Sequence, residues 1–89
     1  MRITNMKQVK ENIGKRVRFQ YETMTEPVTG VIIFGVTEDC EGDLIGFSNV
    51  YSVAYDQKAT DDCTCCMLWY DDEYEFDKEE FLEFEVIDE

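Results

Sequence analysis

The chain has no histidine, only one proline and no glycine-rich phosphate loop of the GxxxxGK(S/T) kind. Histidine is the side chain that most often transfers protons near neutral pH, and none of the four cysteines has an obvious base beside it in the sequence. The many carboxylates occur in runs, where their abundance removes any specific acid–base pairing. These absences predict a protein that is not an enzyme and that uses no cofactor.

A long apolar run is also missing. A helix that crosses a bilayer needs about 20 consecutive apolar residues, and no segment approaches that length. The N-terminus is followed by polar residues where a signal peptide would have its apolar segment. We therefore expect a soluble protein of the cytoplasm. Its acidity also argues against binding to membrane surfaces, which are themselves negative.

The composition is that of a folded protein. The 89 residues fit a single domain over residues 1–89, and 44% of them are hydrophobic. Six phenylalanines, five tyrosines and one tryptophan make the chain too aromatic for intrinsic disorder, despite its net charge of −13. One hydrophobic core is therefore expected.

Charge is divided unevenly along the chain. Residues 1–21 hold six cations and one acid, for +5, whereas residues 22–89 hold two cations and twenty acids, for −18. Eleven of those acids fall in residues 71–89, against the single cation Lys78. Such a field favours a partner with a positive surface and would repel the phosphates of nucleic acid. Pairing of the basic opening segment with these acids, within one chain or across a homodimer, explains its cations at least as well as a contact with nucleic acid does. The sequence leaves open whether that segment neutralises the acids, and the interpretation as a binding surface requires that it does not.

Local patterns predict one short helix followed by strands. Asn5 is placed to cap a helix with Gln8 as its reciprocal partner, Met6, Val9 and Ile13 form an apolar stripe, and Gly14 ends it. Alternating and β-branched residues predict strands over residues 16–21, 28–37, 44–55, 66–70 and around 84–86. The sequence Asp77-Lys-Glu-Glu80 is typical of a helical turn just before the last strand.

These elements predict an α+β, mainly β fold, in which a short N-terminal helix precedes a strongly bent antiparallel sheet or a small SH3-like barrel. Bent strands and a helical turn before the final strand resemble the layout of SH3-like barrels over residues 15–88. That architecture hosts many unrelated binding functions, so the resemblance implies a fold and no particular partner.

The most distinctive local pattern is the run from Tyr70 to Asp77. If it is a strand, its acids alternate to one face, about 6.6 Å apart, with aromatic rings behind them. Such a row would present anions to a groove made for DNA or RNA; alternatively, it is a solvated edge that keeps the protein soluble. The residues predicted to contact the partner are Asp71, Asp72, Glu73, Glu75, Asp77, Glu79, Glu80, Trp69, Tyr70 and Tyr74.

The four cysteines suggest zinc by their number but not by their spacing. Structural zinc sites place cysteines in two pairs, whereas Cys63, Cys65 and Cys66 lie together and Cys40 stands alone. We expect free thiols, with a small zinc-stabilised domain kept as an alternative.

In size, acidity and lack of catalytic groups, the chain resembles the small acidic inhibitors that phages use against nucleic-acid-binding host enzymes. These include anti-CRISPR, anti-restriction and glycosylase-inhibitor proteins. The resemblance implies a DNA mimic acting in the host cytoplasm, whose carboxylates block a basic, nucleic-acid-binding protein surface. The main alternative is an SH3-like protein-interaction or assembly module whose acids serve solubility.

Overall fold

Strand β1 (Arg16–Tyr21) shows how the local pattern produces the sheet. In the computed structural model, which describes residues 1–35, 50–56 and 65–87, Val17 and Phe19 are fully buried while Arg16 and Arg18 face solvent. Alternate residues of a strand point to opposite faces, so this strand has one apolar and one cationic face. The predicted bounds of β1 are confirmed.

Five strands form one antiparallel sheet in the order β4-β3-β2-β1-β5. The other strands are β2 (Val28–Phe34), β3 (Tyr51–Tyr55), β4 (Cys65–Leu68) and β5 (Phe81–Val86). Strand β2 is central, as its β-branched sequence predicts. The parts of the predicted strands at residues 36–37 and 44–49 lie outside the described residues.

Gly30 lets β2 and β3 approach closely. A Cβ atom at this position would collide with the carbonyl oxygen of Ala54 on β3, so only glycine fits without a shift of the backbone. The resulting sheet curls into a half-barrel, and the α+β, mainly β fold class is confirmed.

The N-terminal residues extend the curl beyond β5. The amide of Ile3 donates to the carbonyl of Phe84 at 2.7 Å, and the amide of Val86 donates to the carbonyl of Met1 at 2.8 Å. One residue later the same segment changes partner, and the amide of Phe76 donates to the carbonyl of Thr4 at 2.8 Å. The opening segment therefore ties β5 to the residues that connect β4 with β5.

Helix α1 (Met6–Glu11) follows directly and is capped by Asn5, whose side chain accepts from the Gln8 amide at 2.9 Å. The predicted reciprocal bond, from the Asn5 amide to the Gln8 side chain, is wrong because Gln8 has a different donor. The Gln8 side chain accepts from the amide of Thr4 at 2.6 Å, one residue before the expected donor Asn5. The helix also ends sooner than its apolar stripe predicts, and Ile13 is exposed.

The core lies inside the curl, between the concave face of the sheet, helix α1 and the connection from β4 to β5. Phe19 contacts Phe84 edge-to-face with ring centroids 5.0 Å apart, and Phe76 lies 4.4 Å from Phe81. The largest fully buried apolar side chains are Ile3, Met6, Val9, Val17, Phe19, Ile32, Val53, Phe81 and Phe84. Among the described residues, no helix has the length and apolarity that a bilayer crossing requires.

Candidate protein interface

Residues 71–80, here called the acidic segment, join β4 to β5 by two turns. The sequence pattern predicts a strand here, and that prediction is wrong: residues 72–73 and 78–80 are turns, and Glu75 forms only an isolated bridge with Asn5. The acids therefore do not form one straight row.

Local hydrogen bonds explain the two turns. The carbonyl of Asp71 accepts from the amide of Tyr74 at 3.0 Å and closes the first turn. In the second, the side chain of Asp77 accepts from the Glu79 amide at 2.8 Å, and its carbonyl accepts from the Phe81 amide at 2.8 Å. Aspartate favours such local bonds over a strand ladder. The predicted helical turn before the last strand is thus present, with Asp77 at its start.

Although the row is broken, the acids of this segment face outward. Phe76 is the one buried residue of the segment and anchors it to the core beside Phe81 and Phe84. Within the described part of the chain, five exposed carboxylates of the segment take part in no ion pair. They are Asp71, Glu73, Glu75, Asp77 and Glu79.

Glu80 differs from these five because it is half-buried and faces tyrosines. One of its carboxylate oxygens accepts from the hydroxyl of Tyr70 at 3.3 Å and from that of Tyr74 at 3.5 Å. The rings of Tyr70 and Tyr74 are stacked, with centroids 4.1 Å apart. These two tyrosines, predicted as exposed anchors, are half-buried and support the acidic segment from below.

The hydroxyls of Tyr70 and Tyr74 have raised pKa values. Burial raises the pKa of Tyr70, and the neighbouring Tyr21 and Glu80 raise it further, because a phenolate there would lose water and meet negative charge. Burial and then Glu80 raise the pKa of Tyr74 in the same way. The two tyrosines therefore stay neutral and keep their hydroxyls as donors to Glu80.

Cations of the opening segment neutralise another set of acids. Lys10 on α1 pairs with Asp72, and the hydrogen bond that its ammonium donates to the Asp72 carboxylate raises the pKa of Lys10 above its ordinary value. Arg18 on β1 lies 3.3 Å from Glu83 on β5, and the amino group of Met1 lies 3.6 Å from Glu85. Basic and acidic segments thus pair within the chain, and of the predicted contact residues this pairing neutralises Asp72.

Beside the acidic segment, the ends of β3 and β4 meet α1 and enclose an open groove of about 300 Å³. We call it the aromatic groove. Trp69, which is 56% exposed, and Tyr51 and Tyr70, both half-buried, supply its rings. The remaining described residues that line it are Lys10, Val50, Leu68, Asp71 and Asp72. A groove with aromatic walls and an acidic rim suits a cationic, partly apolar ligand group.

The sequence patterns did not predict that Tyr51 and Lys10 belong to this site. Tyr51 pairs with Leu68 across β3 and β4, and this register brings Tyr51 and Trp69 into the lining of the same groove. The Lys10 ammonium lies 5.5 Å from the centre of the Tyr51 ring while it pairs with Asp72. The pairing register of two distant strands decides this neighbourhood, and no local signal in the sequence reports it.

The cysteines are only partly placed. Cys65 is buried and Cys66 half-buried, whereas Cys40 and Cys63 lie outside the described residues. Within the described ranges, no group of three or more cysteines and acids is arranged to hold a metal ion. A zinc site that uses all four cysteines is not tested by this geometry.

Comparisons of this chain with protein families, with curated proteins and with solved structures found no match.

Proposed function

We propose that the chain is a non-enzymatic binding protein that blocks a basic, nucleic-acid-binding surface of another protein by presenting carboxylates in place of phosphates. The observation that supports this proposal is the exposure of Asp71, Glu73, Glu75, Asp77 and Glu79 without ion pairs among the described residues. In its class, this is a phage-type inhibitor that acts in the host cytoplasm on a defence or DNA-processing enzyme.

The arrangement suits this task because the carboxylates are fixed from below. Phe76 anchors the segment in the core, and two tyrosine hydroxyls hold Glu80 beneath it. A rigid anionic surface loses little conformational entropy when it binds. Its field also steers a basic partner toward it and accelerates association at low salt.

The test compares two variants with the same change in net charge. The first, D71N/E73Q/E75Q, neutralises part of the acidic segment; the control, E11Q/E22Q/E26Q, neutralises three exposed acids elsewhere. Immobilised protein is incubated with bacterial lysate, and bound proteins are displaced with duplex DNA. For each displaced protein, binding of a labelled duplex is then measured with increasing amounts of the chain.

We expect the wild type and the control to compete with the duplex, and the D71N/E73Q/E75Q variant to compete at least about tenfold more weakly, which corresponds to 1.4 kcal/mol. Competition should also weaken steeply as salt rises. Equal competition by all three proteins, or simultaneous binding of duplex and chain to the captured protein, would refute the proposal.

The aromatic groove favours a second candidate, an SH3-like module that binds a peptide or subunit through Tyr51, Trp69 and Tyr70. In that case the acids serve solubility, so binding should change little with salt. The substitution W69A would then weaken binding more than D71N/E73Q/E75Q does.

A further inference from the structure

The Lys10 side chain shows which chemistry the aromatic groove accepts. Its ammonium pairs with Asp72 and lies 5.5 Å from the centre of the Tyr51 ring, so the protein's own cation occupies one end of the groove. Trp69 and Asp71 lie along the same groove. They are a second ring and a second carboxylate, and in the described part of the chain Asp71 has no ion pair.

We propose that the groove receives one cationic side chain of the partner, between the face of Trp69 and the carboxylate of Asp71. The inference rests on the proposed function, because a surface that binds nucleic acid is rich in arginine and lysine. It adds an anchoring pocket to an interface that is otherwise an exposed charged surface.

The groove fits an arginine better than a lysine. A planar guanidinium stacks on an indole face and is less strongly hydrated than an ammonium, while its N–H groups remain free to donate to a carboxylate. A volume of about 300 Å³ lies at the small end of ligand sites, which suits one side chain and not a long peptide. Hot spots of this kind combine an aromatic residue with a desolvated arginine.

Trp69 is the single tryptophan of the chain and lines this groove, so tryptophan fluorescence reports on binding there. The probes are a short oligoarginine peptide, an oligolysine peptide of the same length and a neutral glycine–serine peptide. We expect a saturable change in fluorescence with oligoarginine, a weaker one with oligolysine and none with the neutral peptide. No saturable change with oligoarginine would overturn the proposal.

Calorimetry then compares W69A with F34A in oligoarginine binding. Phe34 is a matched control because it is 50% exposed, close to the 56% of Trp69, and packs against the same Tyr51 with ring centroids 4.6 Å apart. Both side chains are exposed, so both variants should fold, and circular dichroism checks this. We expect about a tenfold loss of affinity for W69A and less than about a twofold loss for F34A. Equal losses would overturn the proposal.

A second pair of variants separates the groove from general electrostatics. K10Q and K7Q each remove one positive charge from α1, but only Lys10 occupies the groove, and Lys7 is exposed. Because Lys10 lines the same groove as Trp69 and Asp71, its charge repels a cation bound there, and K10Q should bind oligoarginine several-fold more tightly than K7Q does. Equal gains would show attraction by net charge alone and would count against the groove.

The same titrations distinguish failure of this inference from failure of the proposed function. If D71N/E73Q/E75Q weakens binding of oligoarginine while W69A does not, the pocket is refuted and the anionic surface keeps its support. If W69A weakens binding and neutralisation of Glu73 and Glu75 does not, the pocket is supported and the phosphate-mimic function is not.

Discussion

Strand β5 and the acidic segment carry the same kind of side chain in opposite surroundings. On β5, Glu83 faces Arg18 and Glu85 faces the amino group of Met1, so the charge of the strand is largely neutralised. In the acidic segment, five carboxylates face solvent without ion pairs among the described residues, and Lys10 reaches only Asp72. The cations of the opening segment thus neutralise the acids that lie beside the sheet and leave the connecting turns charged.

The difference follows from geometry. A residue on β1 lies directly opposite one on β5, and Arg18 is paired with Glu85 and next to Glu83 in the strand register, within reach of a long side chain. The turns of the acidic segment lie outside the strand ladder, and among the described cations of residues 1–21 it is Lys10 on α1 that pairs with one of their carboxylates. Like charges that remain unpaired cost stability, and that cost is consistent with a surface retained for binding.

The largest expected effect concerns Phe81, whose buried side chain supports both β5 and the acidic segment. Phe81 begins β5, and its ring centroid lies 4.4 Å from that of Phe76 and 5.1 Å from that of Tyr21. The variant F81A should therefore lower the free energy of unfolding by about 3–5 kcal/mol. Its neighbour Leu82 is 44% exposed, and L82A should change stability by no more than about 0.5 kcal/mol. Urea denaturation measures both. Similar losses for the two variants would show that β5 does not anchor the acidic segment through Phe81.

An intermediate effect separates Glu80 from the exposed acids. E80A leaves the half-buried hydroxyls of Tyr70 and Tyr74 without their acceptor, and should cost about 1–2 kcal/mol. E79A removes an equal charge from the exposed face and should stay within about 0.5 kcal/mol of the wild type. If E79A proved as costly as E80A, the acidic segment would not be held through Glu80.

Alkaline titration of the same two variants gives an independent readout. The pKa values of Tyr70 and Tyr74 are raised in the folded protein above their ordinary value of 10.0. The stability that these protonated tyrosines contribute is therefore fully present below pH 10.0 and is lost as the pH rises through their higher folded pKa values. Removal of the Glu80 charge should let these tyrosines ionise at lower pH. Ultraviolet absorbance of the phenolate should therefore rise earlier in E80A than in E79A; coincident curves would contradict this.

The smallest expected effect compares an ion-paired acid of β5, Glu83, with an exposed acid of the acidic segment, Glu75. E83Q removes an acid paired with Arg18 and should lower stability by up to about 1 kcal/mol, whereas E75Q relieves repulsion and should leave stability unchanged or raise it by a few tenths of a kcal/mol. Both differences should shrink between about 0.01 M and 1 M salt because the charges are screened. A loss of stability in E75Q equal to that in E83Q would remove the distinction between the two regions.

Local chemistry made much of the fold predictable. The alternation of Val17 and Phe19 with arginines predicted β1, Asn5 predicted the start of the helix, and Asp77 predicted the turn before β5. The prediction of a straight strand for the acidic segment was wrong because Asp71 and Asp77 close turns with nearby amides. A period-two pattern in the sequence does not reveal such local hydrogen bonds. The helix ended before Ile13 for a similarly local reason, since Asn12 caps it.

The sequence by itself determined the net charge, the excess of acid in residues 71–89 and the alternation that buries one face of the sheet, because these depend on residues close together in the chain. Tertiary structure decided which carboxylates are neutralised and which are displayed. Lys10 meets Asp72 across 62 positions, and Tyr51 and Trp69 line one groove through the pairing of β3 with β4. Such contacts depend on sheet order and register, since electrostatic and aromatic contacts act only over a few ångströms of real space.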